Sequence, residues 1–194
     1  MGKNIDIRIV KTQRAINSVF FELMNEIGFS KITVQKIIEC AEINRSTFYA
    51  HYTDKFDLLD KVENDLLIGL KNLTSDTPFE LLKSQELNTE ILISFSNQTI
   101  NYLHENGKVF TLLMSDKGDP AFINKLSEMI KSVWVEKNLV DKLTIPQSYA
   151  FAAILGMITS LIAEWVKNDF RETSDEFVQI VVKIIKDIPK NIFS

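Results

Sequence analysis

The sequence predicts an all-α protein. Glycine and proline, the residues that interrupt helices, number only six and four among 194 residues, about 5% of the chain where the average is about 12%. Apolar residues recur at intervals of three and four in every periodic segment. No Asn-Gly or Asp-Gly pair lies between two alternating runs, as it would in a β-hairpin. Long helices joined by short turns are therefore expected.

The composition excludes several classes of protein. A hydrophobic content of 45% and a net charge of -4 are typical of a globular chain and not of a disordered one. The single cysteine, Cys40, cannot form an intramolecular disulfide, and with only two histidines the chain is a poor candidate for a metal centre. We therefore expect neither a bound metal nor another cofactor.

The N-terminal segment carries charges throughout, so it does not resemble a signal peptide, and a cytoplasmic protein is expected. Residues 144–163 carry no charge and could suggest a membrane span. The segment contains Pro146, Thr159 and Ser160, however, and its apolar run is too short to cross a bilayer. A helix buried on both sides is the better interpretation, and no membrane is expected as a partner.

The first 51 residues predict three helices. An amphipathic stripe ends at Gly28, and its members are Ile16, Val19, Phe20, Leu23, Met24 and Ile27. Thr33 is a good N-cap for a second, shorter helix that runs to Ala41. Asn44 can cap a third helix, Arg45 to His51. Two short helices joined by a three-residue turn form a helix-turn-helix candidate.

The rest of the chain predicts longer helices. Thr53 and Asp54 cap a fourth helix. Later periodic segments predict helices near residues 87–105, 108–115, 120–138, 147–169 and 174–188. This organisation predicts two domains, a helix-turn-helix domain at residues 1–54 and a helical domain at residues 55–194. The last two helices are apolar on more than one side, so the same pair from a second copy is expected to cover them in a homodimer.

Charge differs between the two regions. Residues 1–55 hold eight Lys/Arg against six Asp/Glu, whereas the rest of the chain holds 14 against 20. A mildly basic region joined to an acidic one is consistent with a polyanion as the partner of the first region.

The segment from Lys31 to Leu59, KITVQKIIECAEINRSTFYAHYTDKFDLL, resembles the DNA-binding signature of the TetR family of bacterial transcription regulators. The matching elements, within roughly residues 8–70, are the Gly28-Phe29 turn, Thr33-Val34, the Thr47 to Tyr52 helix, Asp54-Lys55 and Leu58-Leu59. The resemblance implies an N-terminal DNA-binding domain and a C-terminal region with an inducer pocket and a dimer interface. One departure lies in the turn, where Glu42 replaces a glycine that suits a positive φ angle. If the turn is unchanged, the strain is about 1 kcal/mol.

The first turn of the third helix holds the candidates for reading DNA sequence. Asn44 precedes the helix, and Arg45, Ser46 and Thr47 begin it, where the side chains of a recognition helix reach base edges. Arg45 is the leading candidate because its guanidinium can bind guanine O6 and N7 with two hydrogen bonds. A phosphate contact from an exposed Arg45 is the alternative.

Phosphate contacts are assigned to short donors and helix N-termini. The candidates are Thr33, the Tyr49 hydroxyl, and Lys55 together with free amides at the start of the fourth helix. His51 is either a phosphate donor or a half-buried structural residue. Two aromatic residues on the opposite face are expected to pack inward: Phe48 and Tyr52.

The C-terminal region is rich in aromatic and methionine side chains that suit an apolar cavity. The candidates for an effector pocket are Phe95, Tyr102, Phe110, Met114, Trp134 and Trp165. Taken singly, such residues are more often ordinary core. Because the sequence has no glycine-rich phosphate loop, nucleophile elbow or convincing carboxylate pair, an enzyme is not expected.

The residues and the resemblance together favour a ligand-responsive homodimeric transcriptional regulator. In the favoured form it is a repressor that a small molecule releases from a palindromic operator in double-stranded DNA. Two recognition helices about 34 Å apart would enter successive major grooves, and a ligand that favours another spacing would weaken binding. The alternative is an activator or coactivator of similar build, in which Glu42 weakens DNA binding and protein contacts dominate.

Overall fold

The computed structural model describes residues 7–75, 89–138 and 140–185. Within these ranges the regular elements are helices, which confirms the all-α prediction. The α-helices are α1 (Ile7–Ile27), α2 (Val34–Cys40), α3 (Arg45–His51), α4 (Lys55–Ser75), α5 (Thr89–Glu105), α6 (Gly107–Leu113), α7 (Phe122–Glu136), α8 (Gln147–Lys167) and α9 (Ser174–Ile185). Two short 3-10 turns, Phe29–Lys31 and Val140–Lys142, join α1 to α2 and precede α8.

The predicted helices agree with the observed ones to within a few residues, except that α1 begins at Ile7, well before its apolar stripe. The predicted start of α5 at residue 87 and the predicted end of α9 at residue 188 lie outside the described residues.

The chain forms two compact units, and the first is discontinuous, comprising residues 1–66 and 112–120. The predicted domain boundary after residue 54 falls at the start of α4, whereas the first unit also takes in α4 as far as Leu66. Leu58 and Leu59 are buried there, so this part of α4 contributes to the first core. Residues 112–120 belong to the first unit because Lys117 bonds to α1 and to the turn after it. The Phe29 amide donates to the Lys117 carbonyl at 2.8 Å, and the Lys117 ammonium donates to the Asn25 carbonyl.

The core of the first unit forms where α1 packs against α2 and where α3 turns its aromatic side inward. Six of its side chains have no exposed surface: Ile16, Phe20, Met24, Ile37, Phe48 and Leu58. Phe48 and Tyr52 are buried as predicted. The Tyr52 hydroxyl donates to Asn17 Oδ1 at 3.1 Å, and burial raises the pKa of Tyr52, with Asp65 and Asp57 adding to the shift. This contact fixes the end of α3 against α1.

The second unit comprises residues 67–111 and 121–194. In it α5 packs against α9, and α7 packs against α8. The buried side of α8 consists of Ala150, Phe151, Ile154, Leu155, Thr159, Ile162, Trp165 and Val166. Within the described ranges α8 is the one helix whose length and composition would allow it to cross a bilayer, and 44% of its apolar window is buried in the protein.

Candidate functional site

The turn between α2 and α3 keeps a left-handed residue although it has no glycine. Glu42 has a φ of 52°. The Glu42 amide donates to the Glu39 carbonyl at 3.3 Å, and the Ile43 amide donates to the Ile38 carbonyl at 3.2 Å. These two bonds form the Schellman motif that ends many helices. The helix-turn-helix geometry is therefore retained, and Glu42 bears the strain of a side chain at a glycine-type angle.

The start of α3 projects polar side chains into solvent. Asn44, Arg45 and Ser46 are exposed, and Thr47 is half-buried. Asn44 is the N-cap residue, and its carbonyl accepts from the Thr47 amide at 3.0 Å, while its side chain makes no capping hydrogen bond in the described part of the chain. The predicted first-turn residues therefore share one accessible surface above the buried ring of Phe48.

Arg45 and Tyr49 lie one helical turn apart and contact each other. The Arg45 guanidinium carbon is 5.5 Å from the centroid of the Tyr49 ring, and a terminal guanidinium nitrogen is 3.5 Å from the Tyr49 hydroxyl. The Tyr49 ring also packs edge-on against Phe48, and 46% of Tyr49 is exposed. The structure thus brings together the predicted base reader and a predicted phosphate donor.

Thr33 caps α2. Its hydroxyl oxygen accepts from the Lys36 amide at 3.2 Å, and the residue is exposed. This bond uses a lone pair and leaves the hydroxyl proton as a donor. Thr33 can therefore cap the helix and donate to a phosphate at the same time.

Lys55 has a structural role that its position in the sequence did not reveal. Its ammonium donates to the carbonyls of Phe29, Ser30 and Ile32 at 3.1, 3.1 and 2.8 Å. An ammonium has three N–H donors, so these carbonyls account for all of them. The side chain ties the turn before α2 to the start of α4, which differs from the phosphate contact expected for it.

The second and third amides of α4 are also engaged within the protein. Asp54 Oδ1 accepts from the amides of Phe56 and Asp57, both at 2.8 Å. Asp57 Oδ2 accepts from the Thr53 amide at 2.8 Å, and this bond, followed by the one from Lys61, lowers the pKa of Asp57. Two of the amides at the start of α4, those of Phe56 and Asp57, therefore serve its cap.

The C-terminal end of α3 is held by α4. The Lys61 ammonium donates to the His51 carbonyl at 2.9 Å and to Asp57 Oδ2 at 3.0 Å. The His51 side chain is half-buried, and its ring centroid lies 6.2 Å from that of Tyr52. Both interpretations of His51 are compatible with this position. The hydrogen bond from Lys61 to His51, like those from Lys55, could not be predicted from the sequence, because its acceptor is a backbone carbonyl in another element of the fold.

The predicted effector residues do not lie in one place. Phe110, Trp134 and Trp165 are buried and Tyr102 is half-buried in the second unit. Met114 belongs to the segment that joins the first unit. The side chain of Phe95 lies outside the described residues.

The two tryptophans belong to separate clusters. Trp134 packs on Phe151 with ring centroids 5.7 Å apart, whereas Trp165 stacks on Phe177 at 4.1 Å. Phe151 and Trp165 lie fourteen residues apart on α8, which is about 21 Å along a helix. One pocket of ordinary size cannot be lined by both tryptophans.

The cluster around Trp165 reaches the surface. The ring of His104, which is exposed, stacks on Trp165 with centroids 5.9 Å apart, and Phe170 packs edge-on against Trp165 at 4.9 Å. Phe170 has a φ of 54°, a strained value for a bulky residue. Tyr102 packs against Gly69 of α4 instead. The contact is so close that a Cβ atom at Gly69 would collide with the Tyr102 ring and hydroxyl.

An open groove of about 530 Å³ runs along the outer side of α9. It is lined by Arg171, Glu172, Glu176, Gln179, Ile180 and Lys183. Within the described ranges no group of three His, Cys, Asp or Glu side chains is placed to hold a metal ion.

Two family profiles match the chain. The profile described as "Bacterial regulatory proteins, tetR family" matches residues 20–62, which include the helix-turn-helix. The profile described as "Transcriptional regulator C-terminal region", of the TetR type, matches residues 90–187. YxbF, an uncharacterized HTH-type transcriptional regulator of Bacillus subtilis strain 168, is 23% identical over 186 residues. The match takes in 92% of this chain and 47% of YxbF, so the chain spans about half the length of this curated relative.

Solved structures are similar over nearly the whole chain. A TetR transcriptional regulator from Streptococcus agalactiae 2603V has a TM-score of 0.63 and 26% identity, covering 93% of this chain and 96% of that one. NalD, the secondary repressor of the MexAB-OprM multidrug efflux pump in Pseudomonas aeruginosa, has a TM-score of 0.65 and 18% identity, covering 95% and 98%. The likeness to NalD is one of fold.

Proposed function

Because the chain belongs to the TetR family of transcriptional regulators, which are non-enzymatic DNA-binding proteins, we propose that it is a ligand-responsive homodimeric repressor. Its operator is a palindromic DNA duplex, and a small molecule releases the protein from it in the cytoplasm. The observation that carries the proposal is the polar surface at the start of α3, held in place by contacts to α1 and α4.

The start of α3 supports sequence recognition because its side chains project from a fixed backbone. Arg45 is exposed and oriented by the Tyr49 ring, while Phe48 anchors the opposite side in the core. Arg45 reads guanine through O6 and N7. Asn44, Ser46 and Thr47 contact neighbouring base edges or sugars.

Phosphate contacts come from Thr33 and Tyr49, with His51 as a further donor. Thr33 and Tyr49 are exposed and retain a hydroxyl proton to donate. Lys55 is proposed to position the turn before α2, because its three donors serve backbone carbonyls. Its effect on DNA binding is therefore indirect.

A homodimer through α8 and α9 is supported by their outer faces. The exposed side of α8 carries only small side chains in its middle: Ala152, Ala153, Gly156 and Ser160. A Cβ atom built on Gly156 meets nothing within 4 Å, so another helix can approach closely. On α9, Ile180 and Ile184 are 41% and 46% exposed. A second copy is proposed to cover these apolar side chains, and the two α3 helices of the dimer to enter successive major grooves.

The effector is proposed to bind the second unit at the cluster around Trp165. His104 gives this cluster an exposed edge and a polar group, and the strained backbone of Phe170 is typical of a ligand clamp. Trp134 packs on Phe151, which lies fourteen residues before Trp165 on α8, so Trp134 is placed outside this site. A ligand that binds the released dimer better than the DNA-bound one needs only about 1.4 kcal/mol of preference for a tenfold loss of operator affinity.

Fluorescence anisotropy with labelled duplexes tiling the region upstream of the gene tests the DNA-binding proposal. We expect one duplex to be preferred over its scrambled version, with two protomers bound per duplex. A reporter driven by that region should fall when the protein is expressed. A rise would favour the alternative, an activator or coactivator, and equal binding to all duplexes would contradict a regulator that reads sequence.

A panel of neutral and cationic apolar compounds tests the effector site. A compound that raises the thermal midpoint should also release the preferred duplex. The Trp134→Phe variant retains Trp165 as its one tryptophan, so the compound should change its emission, whereas the emission of Trp165→Phe should stay constant. The opposite pattern would place the effector at the cluster around Trp134.

A further inference from the structure

Two successive residues after α8 adopt left-handed backbone angles. Asp169 has a φ of 59° and Phe170 a φ of 54°. The Asp169 amide donates to the Val166 carbonyl at 3.0 Å. The Phe170 amide donates to the Trp165 carbonyl at 3.0 Å, which completes a Schellman motif. That motif needs one left-handed residue, Asp169, so the helix end does not explain the second one.

The ring of Phe170 fills a recess beside the start of α6. Its centroid lies 4.9 Å from that of Trp165 and 5.6 Å from that of His104, and both contacts are edge-on. A Cβ atom built on Gly107 would lie 2.7 Å from Cε2 of Phe170, so the ring takes the space that a side chain at Gly107 would need. This space between His104, Gly107 and Trp165, called the ring recess below, has the size of one aromatic ring.

The ring recess has a fixed inner wall and an accessible rim. Trp165 is 2% exposed, its ring stacks on Phe177 at 4.1 Å, and its indole N–H donates to the Glu172 carbonyl at 3.0 Å. His104 is exposed and Phe170 is half-buried. A molecule from solvent therefore reaches the recess past these two side chains, while Trp165 remains in place as the wall.

We propose that the ring recess is a binding site for a single aromatic ring, which enters as the ring of Phe170 leaves, and that the effector is recognised by such a ring. The inference rests on the proposed effector site. Movement of Phe170 releases the strain of its left-handed angle and offsets part of the cost of opening the recess. The incoming ring makes the edge-on contacts to Trp165 and His104 that Phe170 gives up.

Benzyl alcohol, a soluble probe with one aromatic ring, tests the recess in a Trp134→Phe background, where Trp165 is the one tryptophan. The probe should change the emission of Trp165 although Phe170 is present. Phe170→Ala leaves the recess open in every molecule. Because a minor open state is commonly populated at about 0.1 to 10%, this variant should bind the probe at least about tenfold more tightly. Phe170→Gly, which adopts the left-handed angle without strain, replaces Phe170→Ala if that variant does not fold.

Two controls locate the probe. Gly107→Ala/Phe170→Ala places a methyl group in the recess and should lose the gain, whereas Gly156→Ala/Phe170→Ala should keep it, because a Cβ atom at Gly156 meets nothing within 4 Å. Cyclohexylmethanol has a similar shape but no aromatic ring, so it should bind less well than benzyl alcohol.

Three results would overturn the ring recess. They are an emission that changes only when Phe170 is removed, a gain that survives Gly107→Ala, and equal binding of cyclohexylmethanol. The DNA assay reports on the proposed function separately. If compounds release the preferred duplex while benzyl alcohol does not bind the recess, the recess alone is wrong. If benzyl alcohol binds the recess of a protein that binds no duplex, the proposed function alone is wrong.

Discussion

The guanidinium of Arg45 lies against the ring of Tyr49, with 5.5 Å between the guanidinium carbon and the ring centroid. The hydroxyl of Tyr49 is 3.5 Å from the nearest guanidinium nitrogen, which is long for a hydrogen bond. The ring therefore orients Arg45, while the hydroxyl proton of Tyr49 remains a donor for DNA. An arginine held at the surface before binding loses less side-chain entropy when it meets a base.

The left-handed φ angle of Glu42 predicts that glycine at this position makes the protein more stable. Glu42→Gly should increase the free energy of unfolding by about 1 kcal/mol, because glycine adopts a φ of 52° without strain. Glu42→Ala removes the carboxylate and keeps the strain, so it should give no such gain. Urea denaturation of the three proteins measures the difference, and equal stability of Glu42→Gly and Glu42→Ala would contradict the strain at this turn.

The three carbonyls around the Lys55 ammonium predict a stability effect. Lys55→Met should reduce the free energy of unfolding by about 1.5 to 3 kcal/mol, the cost of losing hydrogen bonds to a charged group. Lys36→Met, at an exposed position on α2, is the matched control and should change stability little. If both variants unfold at the same urea concentration, Lys55 does not hold the turn before α2.

The open space at Gly156 predicts a test of the dimer. Gly156→Arg should fold, because a Cβ atom at this position meets nothing within 4 Å, yet it should prevent a second copy from packing against α8. Asn101→Arg, exposed on α5, is the control and should remain a dimer. Sedimentation velocity at micromolar concentration distinguishes the two, and a monomeric wild-type protein would contradict the homodimer.

The cap formed by Asp57 predicts a dependence of stability on pH. Its folded pKa lies below the ordinary value of 3.8, chiefly because Asp57 accepts from the Thr53 amide. The stabilisation is therefore present above pH 3.8 and is lost as the pH falls through the lowered pKa. The thermal midpoint of Asp57→Ala should lie below that of the wild type at pH 6, and the gap should narrow at pH 3. A gap that stays constant would show that the carboxylate charge does not matter.

Local sequence patterns were sufficient for the helices and for which side of α3 is buried. The apolar spacing of α1, the cap at Thr33 and the inward side of α3 depend on residues close in sequence, and the structure has each of them. Contacts between distant segments were beyond such patterns. The carbonyls bound by Lys55 lie 23 to 26 residues away in the chain. The Phe29 amide donates to the carbonyl of Lys117, which lies several helices later in the chain.

The predicted effector pocket shows the same limit. Aromatic composition indicated that the second region is apolar, but it could not assign each side chain to a cluster. Trp134 of α7 packs on Phe151 near the start of α8, whereas Trp165 near the end of α8 packs on Phe177 of α9. Met114 lies in the segment that joins the first unit. Which residues meet in space depended on helix packing, which the spacing of apolar residues does not specify.

The central claim is that α3 reads DNA sequence through Arg45, and the affinity ratio between the preferred duplex and its scrambled version tests it most directly. Arg45→Ala should lose about 1 to 3 kcal/mol on the preferred duplex and little on the scrambled one, so the ratio falls. Tyr49→Phe, which keeps the ring and removes the phosphate donor, should weaken both equally and leave the ratio unchanged. Equal losses on the two duplexes for Arg45→Ala would show that Arg45 contacts only phosphate and would contradict the claim.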